Sequence, residues 1–351
     1  MRILIATDAW QPQVNGVVRT YQCLAAESKA LGASLAFLTP AEFRTLPCPT
    51  YREIRLALPD FRRCAGFIRA LDPDAIHIAT DGPVGWMTRA YCRRAGVAFT
   101  TSFHTRFPEY LGARFAVPEA WTYAVQRRFH NRGAGMMVAT KSLARDLAAR
   151  GFHNILPWTR GVDTALFRAR SVRLFGPGPV FLYVGRIAVE KNLEAFLRLD
   201  LPGRKVVVGA GPQLAHLKRR FGDATFTGER HGEDLALCYA SADVFVFPSR
   251  TDTFGMVLLE AMASGLPIAA FPVTGPLDLV TEGVSGVLSD NLGEAALSAL
   301  RLDRGEVRSR ALEFSWENAA RLFLANVEAA LSRRPVPLAA GPLPPHASST
   351  A

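Results

Sequence analysis

Short apolar runs of four or five residues, closed by glycine, proline or aspartate, alternate along this chain with longer stretches whose apolar residues recur at helical spacing. Arg2 to Ala6 reads as a first strand, and a helix starts near Gly16 with Val17, Tyr21, Leu24 and Leu31 at helical spacing. A strand at Leu35 to Leu38 and a proline-containing connection lead to a helix at Asp60 to Leu71, with Phe61, Ala65, Ile68 and Leu71 on one face and Arg62, Arg63 and Arg69 off it. A strand at Ala75 to Ala79, a helix after Thr80-Asp-Gly-Pro83, a strand at Val97 to Thr101 and a helix from Trp121 to Arg132 follow. Met136 to Ala139 closes the first sheet, and Ser142 to Arg150 is the next helix. Periodicity lapses from His153 to Asp163, as expected of a hinge. A second series then runs through Phe181 to Val184, a helix at Asn192 to Leu199, Lys205 to Val208, Val244 to Phe247, a helix at Met256 to Ala263, Ile268 to Phe271 and an amphipathic helix at Trp316 to Leu331. Two strand-helix series predict two α/β domains with parallel sheets.

Length agrees, because 351 residues exceed what one core usually serves. With 49% hydrophobic and 21% charged residues the composition is that of a globular protein, and no apolar run reaches bilayer length. The opening MRILIATDAW reads as a strand rather than a signal peptide, so a cytoplasmic location is expected. Cys23, Cys48, Cys64, Cys92 and Cys238 show no paired spacing, which suits reduced thiols and argues against zinc. The net charge of +10 is uneven: residues 1 to 165 hold 21 Lys and Arg against 12 Asp and Glu. A one-sided basic domain suits an anionic surface, and solvating charge is the plainer alternative.

Candidate chemistry concentrates in Ser249 to Pro267, SRTDTFGMVLLEAMASGLP, which joins two buried-strand patterns through a helix. Loops at the carboxyl edge of such a sheet hold ligands. Free helix amides beside Gly255 suit a phosphate, and the flanking carboxylates of Asp252 and Glu260 suit hydroxyls. Phosphate with hydroxyls means a nucleotide or a sugar phosphate; a helix cap at Asp252 and a solvated Glu260 fit the residue types equally. Arg186 and Lys191, in GRIAVEKNL after a strand, make a diphosphate clamp. Glu190 could instead pair with either cation. The loop TDAWQPQVNG has one glycine, Gly16, where a dinucleotide-binding turn has three, which argues against an oxidoreductase. Asp72 and Asp74 stand at a strand's amino edge and are read as a turn, not a metal motif. His104 stands at a strand's carboxyl end, and as a lone histidine it also fits a structural role.

TDTFG with LLEAMASGLP resembles the signature of retaining GT-B glycosyltransferases of family 4, in which two acidic residues flank seven others. Asp252 in place of the commoner Glu, together with FHTRFPEYL, resembles the subgroup of mannosyl- and sulfoquinovosyl-type glycolipid synthases. The resemblance covers roughly residues 2 to 331. It implies a GT-B fold: two Rossmann-like, doubly wound parallel-sheet domains facing a cleft, with a C-terminal helix crossing back. Residues 1–160 would form the basic, acceptor-binding domain and 161–315 the donor domain. Residues 316–332 would be the crossover helix, and the Pro/Ala-rich 333–351 is expected to be disordered.

By the same resemblance the donor site is Asn15, Gly16, Gly185, Arg186, Lys191, Gly211, Arg230, Asp252, Thr253, Phe254, Gly255 and Glu260. Asp252 would face the sugar, Glu260 the ribose, and Glu229-Arg230-His231 the base. His104, Arg186, Lys191 and Asp252 are the catalytic candidates, with Arg106 and Glu109 near the acceptor. The implied reaction moves a mannose- or glucose-type hexose, with retention, from a nucleoside-diphosphate sugar to a lipid such as diacylglycerol or a glycolipid, at an anionic membrane surface. Alternatives are a soluble sugar or polysaccharide acceptor and a non-catalytic nucleotide-sugar binder. No metal or other cofactor and no nucleic-acid partner is expected.

Overall fold

The computed structural model describes the chain except residues 12, 14–15, 49–50, 107–117, 253 and 333–351, with backbone alone at 51–54. The expected disorder of 333–351 lies outside the described residues. The first series builds β1 (Arg2–Ala6), β2 (Ser34–Leu38), β3 (Thr45–Cys48), β4 (Tyr51–Ala57), β5 (Ala75–Ile78), β6 (Phe99–Phe103), β7 (Gly135–Val138) and β8 (Ile155–Pro157). Six of these form one parallel sheet in the order β2-β1-β5-β6-β7-β8. The second series supplies β9 (Val180–Val184), β10 (Arg204–Val208), β11 (Thr225–Gly228), β12 (Val244–Phe247), β13 (Ile268–Ala270) and β14 (Gly286–Leu288), parallel in the order β11-β10-β9-β12-β13-β14. The chain is therefore a two-sheet α/β protein of doubly wound type.

Continuous apolar strands are what such a sheet requires, since helices cover both faces. All five residues of β9 are buried, and their alternation divides them between two cores. Val180, Leu182 and Val184 pack on one face with Leu258 and Leu259, and Phe181 and Tyr183 pack on the other with Phe196 and Ala296. The helix Trp316–Ser332 crosses back to the first domain as expected. Its Ala320, Phe323 and Val327 pack with Ile3, Ile5, Tyr21 and Trp158, and the Trp158 indole donates to the Ala319 carbonyl at 3.0 Å.

Several sequence readings are corrected. The proline-containing connection before Asp60 contains the antiparallel hairpin β3–β4: β3 has four residues, one of them Pro47, and Arg52, Glu53 and Arg55 blur the alternation of the seven-residue β4. The first sheet closes with β8, not β7, because a three-residue strand inside the turn-rich hinge leaves no periodic signal. The strand expected at Val97–Thr101 is Phe99–Phe103, because the preceding helix runs on to a left-handed Gly96. Phe61, expected on an apolar face, is 47% exposed beneath the Arg94 guanidinium. Cys64 and Ile68 anchor that helix to its own core, leaving Arg62, Arg63 and Arg69 outward.

Strand order reverses between β1 and β5 in one sheet and between β9 and β12 in the other. Open α/β sheets bind ligands in the crevices that diverging loops leave at these points.

Candidate functional site

At the second sheet's switch point the loops after β9 and β12 meet. The first carries Gly185, Arg186 and a short 3-10 turn, Val189–Lys191; the second leads through Asp252 to the helix Met256–Ala263. Asn192 ties the loops by donating its side-chain amide to the Pro248 carbonyl at 3.1 Å. Lys191 Nζ then donates to Asp252 Oδ1 at 2.5 Å, with side chains 21% and 16% exposed. The other carboxylate oxygen, Oδ2, is buried with no hydrogen-bond partner among the described residues. Such an atom costs free energy until a donor reaches it. A neutral O–H or N–H donor, such as a sugar hydroxyl, would satisfy it.

Gly255 has a left-handed backbone, φ 85°, and among the described residues no side-chain cap closes the helix it starts; the Leu258 amide donates to the Gly255 carbonyl at 2.9 Å, so the amides that could meet an anion are those before it. Phe254 beside it is buried. Gly211 permits another close approach, since a Cβ there would stand 2.3 Å from the Ile187 carbonyl oxygen, beside the Arg186 loop. The Tyr183 hydroxyl donates to the Arg186 carbonyl at 2.9 Å and fixes that loop. Arg230 is exposed after β11, with β10 between its strand and β9, and so stands apart from the Lys191–Asp252 pair. Thr253 lies outside the described residues.

Glu260, one turn into the Asp252 helix, is only 4% exposed, which excludes the solvated reading. Its Oε2 accepts from the Tyr239 hydroxyl at 2.9 Å, and its Oε1 from Arg19 Nη1 at 2.5 Å. Burial raises the Glu260 carboxyl above its ordinary range, while Arg19 and Tyr239 pull it back. Arg19 belongs to the first-domain helix Gly16–Ala30, so this ion pair spans the cleft. A Cβ on Gly16 would lie 3.8 Å from Met256 Sδ, which places the starts of the two helices opposite each other. Asn15 lies outside the described residues. Sequence reasoning did not select Arg19, although its place one turn after the Asn-Gly loop was a usable signal.

On the first sheet, His104 follows β6 directly. Its Nε2 lies 3.1 Å from the Tyr21 hydroxyl and its Nδ1 3.2 Å from Arg160 Nη2. Burial first, then Arg160, His77 and His130, hold the imidazole well below its ordinary pKa, so the ring is neutral. Arg106 donates to Asp146 at 2.8 Å and reaches Thr274 of the second domain at 3.3 Å, so its guanidinium is engaged in an interdomain contact. Glu109 lies outside the described residues. At this sheet's switch point Asp8 accepts from Thr80 Oγ1 and the Val84 amide, each at 2.8 Å, capping the helix Pro83–Ala95, and burial pushes its carboxyl up to about 6. Asp72 and Asp74 form the turn expected of them: Asp72 ends its helix in a left-handed conformation and Asp74 accepts from the Arg2 amide. Among the described residues no group of three His, Cys, Asp or Glu is placed to hold a metal ion, and no helix is long and apolar enough to cross a membrane.

Comparison with known proteins agrees with this architecture. The family model Glycosyltransferase Family 4 matches residues 14–166, and Glycosyl transferases group 1 matches 178–302. The GDP-mannose-dependent alpha-mannosyltransferase of Mycolicibacterium smegmatis is 31% identical, the match covering 95% of this chain and 99% of that one. A sulfoquinovosyl transferase of Arabidopsis thaliana is 33% identical over 69% of this chain, which spans about half (51%) of that longer protein. An alpha-monoglucosyldiacylglycerol synthase of Streptococcus pneumoniae is 23% identical over 86% of this chain and 78% of its own length. Among solved structures, sucrose-phosphate synthase from Thermosynechococcus elongatus superposes with a TM-score of 0.78 at 21% identity, covering 94% of this chain and 99% of that one, which establishes the shared fold.

Proposed function

The chain belongs to glycosyltransferase family 4, and from that premise we propose that it transfers a mannose- or glucose-type hexose, with retention, from a nucleoside-diphosphate sugar to a lipid acceptor. The observation that carries this reading is the Lys191–Asp252 pair with its orphan Oδ2. In it a cation for a departing diphosphate and an acceptor for a sugar hydroxyl share one switch point. Arg186 and Lys191 take up charge as the diphosphate leaves, while Asp252 and His104 orient the sugar. Glu260 holds the ribose edge. Leaving-group stabilisation by these cations requires no metal, so activity is expected to persist in excess chelator. The test is release of free nucleotide from a panel of UDP- and GDP-sugars, with and without diacylglycerol liposomes and chelator. Lipid-dependent release from one donor supports the reading; silence from folded protein points instead to a soluble acceptor or a nucleotide-sugar binder.

The lipid acceptor draws support from the diacylglycerol-directed relative and from the first domain's surface. On the helix Glu119–His130, Trp121 and Val125 are 73% and 55% exposed. Arg93, Arg128 and Arg132 crowd close enough to Arg89 to lower its pKa, after burial. An apolar ridge beside clustered arginines suits the headgroup region of an anionic bilayer. The double variant Trp121→Glu, Val125→Glu is expected to weaken binding to phosphatidylglycerol vesicles by about tenfold or more, since it removes two exposed apolar side chains and adds two negative charges at an anionic surface. Unchanged sedimentation with such vesicles would remove this face from consideration.

A further inference from the structure

Arg160 is a buried cation that the reading above leaves unused. It stands three residues beyond β8, 3% exposed, and among the described residues no carboxylate lies within ion-pair distance of it. Its Nη1 donates to the carbonyls of Trp158 at 2.7 Å and Thr159 at 3.0 Å, its Cζ stands 3.9 Å from the centroid of the Trp158 ring, and its Nη2 faces His104 Nδ1 at 3.2 Å. A guanidinium only donates. His104 Nδ1 must therefore be the unprotonated, accepting nitrogen, and a neutral ring then carries its proton on Nε2. That N–H points to the Tyr21 oxygen at 3.1 Å, which leaves the Tyr21 proton for His77 Nε2 at 2.9 Å or Ser102 Oγ at 3.3 Å. His77 Nδ1 completes the chain against Thr100 Oγ1 at 2.8 Å.

We propose that Arg160 is a positioning residue that sets the tautomer and charge of His104, so that the imidazole works in the sugar site as a fixed neutral group and not as an acid or base. This rests on the reading of His104 as part of that site. The geometry gives two independent reasons. Both ring nitrogens have directed partners, so rotation or protonation breaks at least one hydrogen bond. Among the described residues, the titratable and charged groups that bear on the ring are Arg160 from the hinge, Tyr21 from the helix Gly16–Ala30, His77 from β5, and His130 from the helix Glu119–His130. None of them is a carboxylate that could balance an imidazolium. Burial also depresses Arg160 itself to about 10, which still leaves it charged at neutral pH.

Histidine side-chain nitrogen NMR of the ligand-free protein tests the assignment, with the His104→Gln spectrum identifying the signal among the seven histidines. The expected signal is an Nε2–H tautomer that does not titrate between about pH 5.5 and 8.5, the range in which an ordinary histidine does. In Arg160→Met, where Nδ1 loses its donor while burial still opposes protonation, that signal is expected to shift towards a mixture with the Nδ1–H tautomer. Arg160→Lys, which keeps the charge without the fork, should keep the ring neutral. An Nδ1–H tautomer in the parent protein overturns the proposal even where neither variant folds, as does an unchanged signal in folded Arg160→Met. The spectra are taken without substrate, so an altered tautomer with unaltered turnover would instead unseat His104 from the sugar site.

Discussion

Replacing Lys191 with alanine is expected to lower kcat by about a hundredfold or more, the usual effect of removing one group that stabilises developing charge. The ammonium stands 2.5 Å from Asp252, beside the uncapped start of the helix Met256–Ala263. When a diphosphate departs there, a positive charge at this distance acts in a partly enclosed site where water screens it little. The donor's KM is expected to change less than kcat, because the charge on the leaving oxygen is greatest in the transition state. Single-turnover rates with the donor identified by the release panel measure this directly. A folded variant with undiminished turnover would reduce Lys191 to a structural partner of Asp252. The control is thermal unfolding: Lys191→Ala leaves the mostly buried Asp252 carboxylate without its charge partner and is expected to lower the melting temperature, so turnover is compared on protein shown to be folded at the assay temperature.

Substituting Arg19 with methionine strips the cross-cleft partner from a buried carboxylate. Breaking a buried pair on one side usually costs several kcal/mol, and Arg19 is 37% exposed, so a reduced loss of about 1–3 kcal/mol at pH 8 is expected. In melting temperature that is a few degrees for each kcal/mol. The direction of the pH dependence follows from Glu260. Burial raises its folded pKa above the unfolded one, so the folded state holds the proton more tightly, and stability falls as pH rises out of the carboxylate range. Arg19 lowers that pKa, and losing it widens the shift. The deficit of Arg19→Met relative to the parent is therefore largest at pH 8 and narrows towards pH 5, as Glu260 takes up a proton. Arg19→Met, Glu260→Gln should recover most of the loss, because the buried charge is gone and the Tyr239 hydroxyl keeps its acceptor. A deficit independent of pH, or a double variant as unstable as the single one, would show that the two side chains are not coupled.

The helix Met256–Ala263, its left-handed Gly255 and the turn at Gly265 were legible in sequence because each depends on neighbours within a few residues. Lys191 and Asp252 were legible for a related reason. Each stands beyond a strongly apolar strand, so both are assigned to the same sheet edge before any packing is known. Hairpin β3–β4 escaped because Pro47 interrupts one strand and Arg52, Glu53 and Arg55 blur the alternation of the other, and β8 because it has only three residues.

What the sequence by itself determined is the alternation of strand and helix, the two parallel sheets and the loops from which ligand-facing groups emerge. These follow from local backbone preferences and from apolar periodicity. Only the tertiary structure decided that Arg19 meets Glu260 across 241 residues, that Asp252 keeps one oxygen without a partner among the described residues, and that Arg160 dictates which nitrogen of His104 carries a proton. Those outcomes turn on ångström distances between side chains brought together by packing and domain docking. No periodicity along the chain encodes them.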